Sequence, residues 1–529
     1  DLAARHLPAR LDHLLNGKAL PVAQVVGAAA AVQGLQGQDV RLGQVDHVDV
    51  VAHPGSVAGG VVVSEDIELR ELPDRLREAA FCGTAVLADR LLIDFEPGDT
   101  ESEGYAAAFD VGTTTLAAML VSLGTGKTVA VASRLNPQTG YGDDVVSRIQ
   151  HTIENPDGLL DLQNAVVAAC NEMIGELCRQ AGIDRDRIYD LTFAGNTTML
   201  HLLCGIPPRY LGELPFVPAT GPGLWVPARQ IGVHVHPRGR AYVLPVIGGF
   251  VGGDTVAGIL ATAMTEATGP TLLVDIGTNG EIVLFAEGKL LAAATAAGPA
   301  FEGARISSGM RAAAGAIEHL TIDEDLRIEV IGDGRPTGIC GSALIDLAAE
   351  MLRAGIMGPD GVLATPDAPS FSRIPPAVAD RLVQDHDGPV LVLAHAAESR
   401  TEQPILFTQR DVRELQLATG AIRSGVSILL KRVGLSPEDV DRVLLAGAFG
   451  NYIRRENAQR IGLLPREVPA ERIVFVGNAS LAGALMALGS QKVREKAESV
   501  ARSMEHVDLS LDPDFQMAFA MAMQFPEKA

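Results

Sequence analysis

The feature that most constrains the fold of this chain is a pattern of three strands that occurs twice. In residues 105–134 an apolar strand ends at Asp110, a Val-Gly-Thr turn follows, and a Gly-Lys turn separates two further strands. Residues 271–295 repeat this order, with Asp275 at the end of the first strand. The two aspartates are about one domain length apart, so the repeat predicts two related units along the chain.

The two strand–turn elements suit phosphate and metal binding. An Asp at the end of a strand projects its carboxylate into the cleft beyond the sheet, where it can hold Mg2+ directly or through water. Gly112 and Gly277 let the backbone approach a ligand closely, and the amides and Thr hydroxyls that follow can bind anionic oxygens. Two unrelated hairpins, whose Asp and Thr only shape turns, are the alternative. The second copy in the same strand context argues against it.

Three glycine-rich elements fit the same chemistry. Residues 442–452 read as a strand that runs into a Gly447-x-x-Gly450 turn, a bare backbone surface on which an adenosine can lie. Residues 473–480 read as a strand that leads into a helix over 481–488. Residues 248–255 place Asp254 before an apolar helix over 256–264, where it can orient or deprotonate a nucleophile such as water. An ordinary helix N-cap is the alternative for Asp254.

The charge balance excludes several classes of function. The chain has 43 Lys and Arg against 65 Asp and Glu, a formal net charge of −22. A basic surface for nucleic acid is not expected, and an anionic membrane surface would repel most of this protein. The longest apolar stretches, such as residues 25–32, are shorter than the ~20 residues that span a bilayer. We therefore expect a soluble globular protein without nucleic-acid or membrane partners.

The five cysteines, at positions 82, 170, 178, 204 and 340, are scattered along the chain. Their odd number and spacing argue against a disulfide framework and favour a reducing, cytoplasmic setting. None lies in a Cys-x-x-Cys or plant-type ferredoxin pattern, so the chain shows no iron–sulfur or zinc ligands.

Composition divides the chain into three parts. Residues 1–104 read as a small α/β domain, with a helix over 2–15, strands over 45–51 and 61–64, and an acidic linker over 96–104. The body then alternates strands and helices, which is typical of an α/β fold. We divide it into a subdomain over 105–270 and a second over 271–529 that ends in a helical tail.

The order of these elements resembles the actin/sugar-kinase/heat-shock-chaperone ATPase superfamily. Finer motifs are similar to those of one branch, the reductive activators of corrinoid proteins. They are Asn136-Pro-Gln138 with Tyr141-Gly-Asp-Asp144 and Arg148, Ala194-Gly-Asn196-Thr-Thr-Met199, Gly298-Pro-Ala-Phe-Glu302-Gly-Ala304, and Thr337-Gly-Ile-Cys-Gly-Ser342.

The resemblance implies a duplicated ribonuclease-H-like ATPase fold, preceded by a small α/β middle domain over 1–104. It implies an ATPase with Mg2+ that returns the Co(II) corrinoid of a methyl-transfer protein to Co(I). A [2Fe–2S] ferredoxin domain and an electron donor would supply the electron. Because the cluster cysteines are not in this sequence and the chain does not begin with Met, we expect that this domain was removed rather than never present. We also expect a homodimer.

The resemblance assigns a role to individual residues. Asp110 and Asp275 hold Mg2+, and Asp254 orients the attacking water. The motif over 136–148 is structural or takes part in state switching, and His201 serves packing. The residues implied to bind the nucleotide are Gly112, Thr113, Thr114, Thr115, Gly277, Thr278, Asn279, Gly280, Gly298, Glu302, Gly447, Ala448, Phe449 and Gly450.

Two other functions fit the same ATP-binding elements. The first is a small-molecule kinase for a sugar or carboxylate, in which Asp254 would deprotonate the acceptor hydroxyl. The second is a chaperone-like scaffold that binds ATP chiefly to change shape.

Overall fold

The computed structural model describes residues 49–50, 60–63, 68–80, 82–88, 91–277, 279–332, 334–368, 371–386, 388–447 and 452–527. The helix predicted over 2–15 and the strand residues predicted over 45–48 lie outside them. The described chain forms two compact units. The first contains the residues up to Ala257 together with Ser480–Ala501, and the second contains Gly258–Ala479 and the residues from Arg502 onward.

The strands of the described chain have the following bounds. They are β1 Asp49–Val50, β2 Gly60–Val63, β3 Gly83–Ala88, β4 Leu91–Pro97, β5 Tyr105–Val111, β6 Thr115–Ser122, β7 Thr128–Leu135, β8 Ile188–Gly195, β9 Leu224–Pro227, β10 Arg240–Val243, β11 Thr271–Ile276, β12 Gly280–Ala286, β13 Lys289–Thr295, β14 Ala316–Ile322, β15 Leu326–Val330, β16 Gly338–Ile339, β17 Leu382–Asp385, β18 Gly388–Ala394, β19 Ile405–Thr408, β20 Arg442–Ala446, β21 Ile473–Gly477 and β22 Glu505–His506.

The α-helices lie between these strands and in the C-terminal region. They are α1 Glu68–Glu78, α2 Val145–Glu154, α3 Gly158–Ala181, α4 Thr197–Leu203, α5 Gly253–Thr262, α6 Gly341–Ala354, α7 Pro376–Ala379, α8 Gln409–Arg432, α9 Arg455–Arg460, α10 Ala479–Leu488, α11 Gln491–Ser503 and α12 Phe515–Ala522. None of the described helices is both long and apolar enough to cross a lipid bilayer.

The first unit is built on a six-stranded sheet in the order β7-β6-β5-β8-β10-β9. The strands β5, β6 and β7 form an antiparallel meander, and β8 pairs with β5 in parallel. Phe109 and Phe193, on these two parallel neighbours, stack with their ring centroids 4.9 Å apart. Helix α3 buries Leu162, Met173 and its other apolar residues in the same core. The first predicted triplet of strands is therefore confirmed.

The second unit repeats this topology in a sheet of order β21-β20-β11-β12-β13-β22. Strands β11, β12 and β13 form the meander, and β20 pairs with β11 in parallel. The strand pairing extends the duplication beyond the three strands of the sequence repeat, because each unit also has a matching parallel neighbour. Asp110 lies opposite Ala194 of an Ala-Gly pair, and Asp275 lies opposite Ala446 of another Ala-Gly pair. Each unit thus carries a central strand with an Asp one residue before its end, and a parallel neighbour with an Ala-Gly pair at or directly after its end.

The segment before the first unit's large sheet forms a sheet of order β1-β2-β4-β3. Strand β2 confirms the strand predicted over 61–64, displaced by one residue, and β1 confirms the end of the strand predicted over 45–51. The predicted linker is wrong at its start, because Glu96 and Pro97 belong to strand β4. The acidic residues that suggested a solvated linker include a buried one, Glu96, which accepts hydrogen bonds from Arg187 and Tyr189.

A second buried carboxylate, Asp94, fixes the same strand to the large sheet. Its oxygens accept hydrogen bonds from Arg75 at 2.6 Å, Arg238 at 2.7 Å and His236 at 3.0 Å. Burial alone would raise the pKa of Asp94, but these partners hold it well below its usual range. This part of the chain is therefore held to the rest of the first unit by hydrogen bonds of its two buried carboxylates.

Residues 480–501, which the sequence analysis assigned to the second subdomain, belong to the first unit. Arg494 of α11 pairs with Asp190 of β8 at 2.6 Å. Its guanidinium also lies 4.6 Å from the ring centroid of Trp225, and Arg240 lies 4.3 Å from the same centroid. Glu498 adds hydrogen bonds to Gly223 and Tyr242. These contacts fix the returning helix to the sheet edge at β9 and β10.

Candidate functional site

The turn after β5 is the first of the two predicted phosphate loops. Asp110 lies one residue before the end of β5 and accepts a 2.7 Å hydrogen bond from the Ser480 hydroxyl. A Cβ on Gly112 would lie 2.5 Å from the Thr115 carbonyl oxygen, so only glycine fits this turn. The turn is therefore tight, and any larger residue at position 112 would force its backbone to move.

Asn196 and Thr113 join this turn to the next strand of the sheet. The Asn196 side chain caps α4 by accepting a bond from the Met199 amide, and it donates a 2.9 Å hydrogen bond to the Thr113 hydroxyl. A Cβ on Gly252 would lie 2.5 Å from Asn196 Cα, so the glycine-rich loop before α5 packs directly on this residue. Asn196 thus positions both the Thr113 side chain and the start of α5.

Asp254 lies in the first turn of α5 and is half-buried. One of its oxygens accepts a 2.7 Å bond from the Thr255 amide. Burial raises the pKa of Asp254 to about 6, and the negative charge of Asp110 raises it further against the opposing effect of Thr255. Two carboxylates thus influence one another in the first unit, and a cation bound there would lower the energy of both.

The second unit places Asp275 beside Gly447. Asp275 is half-buried near the end of β11, next to Ala446 of β20. Gly447 has a φ of 99°, and a Cβ there would lie 3.0 Å from an Asp275 carboxylate oxygen and 2.9 Å from the Ile276 carbonyl. A side chain at this position would therefore crowd the Asp275 carboxylate. The structure therefore joins the Asp of the second phosphate loop to the start of the predicted adenosine loop.

The second phosphate loop also closes on itself. The Gly277 amide donates a 3.1 Å bond to the Asn279 carbonyl, and the Gly280 carbonyl accepts a 3.2 Å bond from the Thr295 hydroxyl. Gly298 has a φ of 76° and precedes the short 3-10 helix that ends at Glu302. Four predicted nucleotide-binding residues lie outside the described residues, namely Thr278, Ala448, Phe449 and Gly450.

Three residues of the site, Ser480, Asn196 and Arg148, were not predicted as site residues. Ser480 was read only as the residue before the predicted helix over 481–488, and Asn196 and Arg148 only as parts of motifs. For Asn196 a usable signal was present, because a capping Asn accepts with its oxygen and keeps its amide protons for another partner. His201 is buried as predicted, and its two ring nitrogens bond to the backbone at Thr197 and Ala219.

No cluster of three or more His, Cys, Asp and Glu suited to a metal ion occurs in the described parts of the chain. Magnesium needs no such cluster, since it is usually held by one or two carboxylates with waters and substrate phosphates. The five cysteines are unpaired, with Cys82 exposed and three others buried. Burial raises the pKa of the Cys170 thiol to about 12, which disfavours the thiolate that metal binding needs.

A cavity of about 940 Å3 lies elsewhere in the second unit. It is lined by the end of α6 and the loop that follows, by Arg460 and Arg466, and by Pro526 and Glu527 near the C-terminus. None of the predicted site residues lines it.

Two family profiles together match most of the chain. The profile described as the C-terminal domain of RACo, the ASKHA domain, matches residues 269–529, and the RACo middle region matches residues 105–267. A corrinoid activation enzyme of Eubacterium limosum, RamQ, is 33% identical over 446 residues, which are 83% of this chain and 74% of RamQ. The chain belongs to the RACo family of corrinoid activators. The predicted family and the predicted ATPase fold are thereby confirmed.

Two further relatives agree with this membership. A Methanosarcina barkeri protein, the [Co(II) methylated amine-specific corrinoid protein] reductase, is 27% identical over 72% of this chain and 68% of its own length. A solved structure of a reductive activator for corrinoid, iron–sulfur protein has 38% identity and a TM-score of 0.79, and the match covers 88% of this chain and 74% of that one. In the RACo family the name "middle region" applies to residues 105–267. The role of residues 1–104 stays a prediction.

Proposed function

We propose that this chain is the ATP-hydrolysing part of a reductive activator that returns a Co(II) corrinoid protein to Co(I). Membership of the RACo family supports corrinoid activation, and the name of the Methanosarcina relative specifies a Co(II) substrate for that protein. The observation that carries the ATP dependence is the duplicated Asp-Gly turn, with Asp110 and Asp275 at equivalent positions of two sheets. Such turns suit a nucleotide with its metal, because their backbone amides can bind anionic oxygens and their carboxylates can hold Mg2+ together with phosphates.

The residues of each turn have distinct tasks in this proposal. Asp110 and Asp275 hold Mg2+, and the backbone amides over 112–115 and 277–280 bind the phosphates. Magnesium bound with ATP neutralises the phosphate charge and favours attack at the γ-phosphoryl group. Asp254 orients the attacking water and accepts its proton. A carboxylate whose pKa is about 6 is a better base at neutral pH than an ordinary Asp.

ATP can drive an energetically unfavourable reduction only if its binding and hydrolysis change the state of the activator. The activator must bind the corrinoid protein differently before and after hydrolysis, because a ligand shifts an equilibrium only by its differential affinity. We propose that the ATP state engages the Co(II) protein and that hydrolysis resets the complex. In this proposal an iron–sulfur donor supplies the electron.

The experiment that tests this proposal is ATP turnover by the chain with and without a Co(II) corrinoid protein. We expect a low basal rate that rises when the corrinoid protein is added, and loss of both rates in Asp254→Asn. Equal rates with and without the protein would contradict the coupling. Turnover that requires a sugar or a carboxylate instead would identify a small-molecule kinase. Nucleotide-dependent assembly with almost no turnover would identify a scaffold.

A further inference from the structure

The segment over 136–148 lies directly behind the first phosphate loop. Asn136 donates from its side-chain amide to the Gly112 carbonyl at 2.9 Å and from its backbone amide to the Thr114 carbonyl at 2.8 Å. Arg148 donates to the Thr113 carbonyl at 2.6 Å. Three consecutive carbonyls of the loop are therefore held by two residues.

This arrangement fixes the direction of the loop amides. In a trans peptide the N–H of a residue points away from the carbonyl of the residue before it. With the Gly112 and Thr113 carbonyls held toward Asn136 and Arg148, the N–H groups of Thr113 and Thr114 point to the opposite face of the loop. Successive amides on one face of a turn form a concavity that binds anions.

Arg148 also places a positive charge behind the loop. It is 0% exposed and is the largest fully buried side chain of the described chain. Besides Thr113, its partners are the Gly142 carbonyl at 2.9 Å, the Gln138 side-chain oxygen at 3.2 Å and the Met199 sulfur at 3.1 Å. All of these acceptors are neutral.

The charge of Arg148 persists in this environment. Burial lowers the pKa of Arg148 to about 10, against the opposing charges of Asp144 and Asp143, so the guanidinium stays protonated at neutral pH. A buried cation whose hydrogen-bond partners are all neutral is costly; Asp143 and Asp144 offset part of that cost, and a further anion close to the guanidinium would offset more of it. Because Arg148 bonds to the loop itself, the favourable place for such an anion is the face to which the loop amides point.

We propose that Arg148, together with Asn136, is a positioning residue for phosphate binding by the loop over 112–115. The pair holds the loop so that its amides face the polyphosphate, and Arg148 supplies a buried positive charge behind them. This inference rests on the proposed nucleotide function and adds the reason for the motif over 136–148. In this proposal the motif holds the loop over 112–115 in position to bind the polyphosphate, and it is not only a capped helix.

The test compares the affinities of ATP, ADP and adenosine by calorimetric titration with Mg2+. In Arg148→Met we expect ATP affinity to fall about tenfold or more, the effect of losing one charge-assisted hydrogen bond, while adenosine affinity stays within about twofold. Arg148→Lys keeps the charge but not the planar fork, so it should lie between Arg148→Met and the wild type. Asn136→Ala should reproduce the loss of phosphate preference without removing any charge.

Arg494→Met is the matched control, because Arg494 is a largely buried arginine of the same unit that bonds to Asp190 and not to the loop. It should lower stability and leave the ratio of ATP to adenosine affinity unchanged. A wild-type chain that binds no ATP would refute the proposed function itself. A wild type that binds ATP, with Arg148→Met keeping the full phosphate preference, would refute the positioning role alone. If Arg148→Met does not fold, Arg148→Lys and Asn136→Ala decide the question in the same titration.

Discussion

Asp254→Asn should stabilise the first unit at alkaline pH while it abolishes ATP hydrolysis. The folded chain raises the pKa of Asp254 from 3.8 to about 6, so folding favours the protonated carboxyl. A raised pKa contributes stability that is full below the unfolded value and is lost as the pH rises through the folded value. At pH 8 the ionised carboxylate is therefore unfavourable in the folded state, and an asparagine removes that cost.

The magnitude follows from the difference of about two pKa units, which corresponds to about 3 kcal/mol over the whole titration. Between pH 5 and pH 8 the unfolding free energy changes by the equivalent of about one pKa unit, which is about 1.4 kcal/mol. The unfolding free energy of the wild type should fall by this amount relative to Asp254→Asn across that range. Contributions of titrating groups that do not interact with Asp254 cancel in the comparison, because both proteins contain them.

Urea denaturation in the presence of a chelator measures this difference directly. The single tryptophan, Trp225, lies in the same unit as Asp254, so its fluorescence reports the unfolding of that unit. Adding Mg2+ with ATP should reduce the pH dependence of the wild type, because a cation favours the ionised carboxylate. Identical pH slopes for the two proteins without metal would refute the assignment of a raised pKa to Asp254.

Three further predictions concern the turn and the two fixed segments of the first unit. Gly112→Ala places a Cβ against the Thr115 carbonyl, so ATP affinity should fall at least about tenfold in a binding titration; unchanged affinity would contradict the tight turn. Asp94→Asn leaves two partly buried arginines without their carboxylate, so the unfolding free energy at pH 7 should fall on the order of 3 kcal/mol in urea, and the effect should shrink in acid because the pKa of Asp94 is lowered. Arg494→Gln should cost about 1–3 kcal/mol and shift the emission of Trp225, and an unshifted spectrum would argue against the stacking.

Local sequence patterns predicted those strands whose ends are marked by residues close by in the chain. Strand β5 was predicted from an apolar run that ends in Asp and Gly, and its bounds agree with the structure. Strand β11 agrees for the same reason, since its apolar run ends in Asp275 and Ile276 and is followed by Gly277. The duplication of the fold could be read because the repeated residues lie within short segments of the chain.

Contacts between residues far apart in the chain could not be predicted in this way, because the sequence around each residue does not indicate its distant partner. Ser480 bonds to Asp110 across 370 residues, and nothing around residue 480 distinguishes this from an ordinary helix start. Glu96 has the composition of a solvated linker, yet it is buried by partners near residue 189. Arg148 was read only as part of the motif over 136–148, and only the structure shows that its side chain ends at the phosphate loop.

The most direct test of the account is the rate at which a Co(II) corrinoid protein is converted to Co(I) by the activator with its iron–sulfur donor. The visible absorbance of the corrinoid follows this conversion. We predict that Co(I) accumulates with Mg2+ and ATP, and that it fails to accumulate with a non-hydrolysable ATP analogue or with Asp254→Asn. Co(I) formation at the same rate without ATP would contradict the claim that this duplicated fold couples ATP hydrolysis to corrinoid reduction.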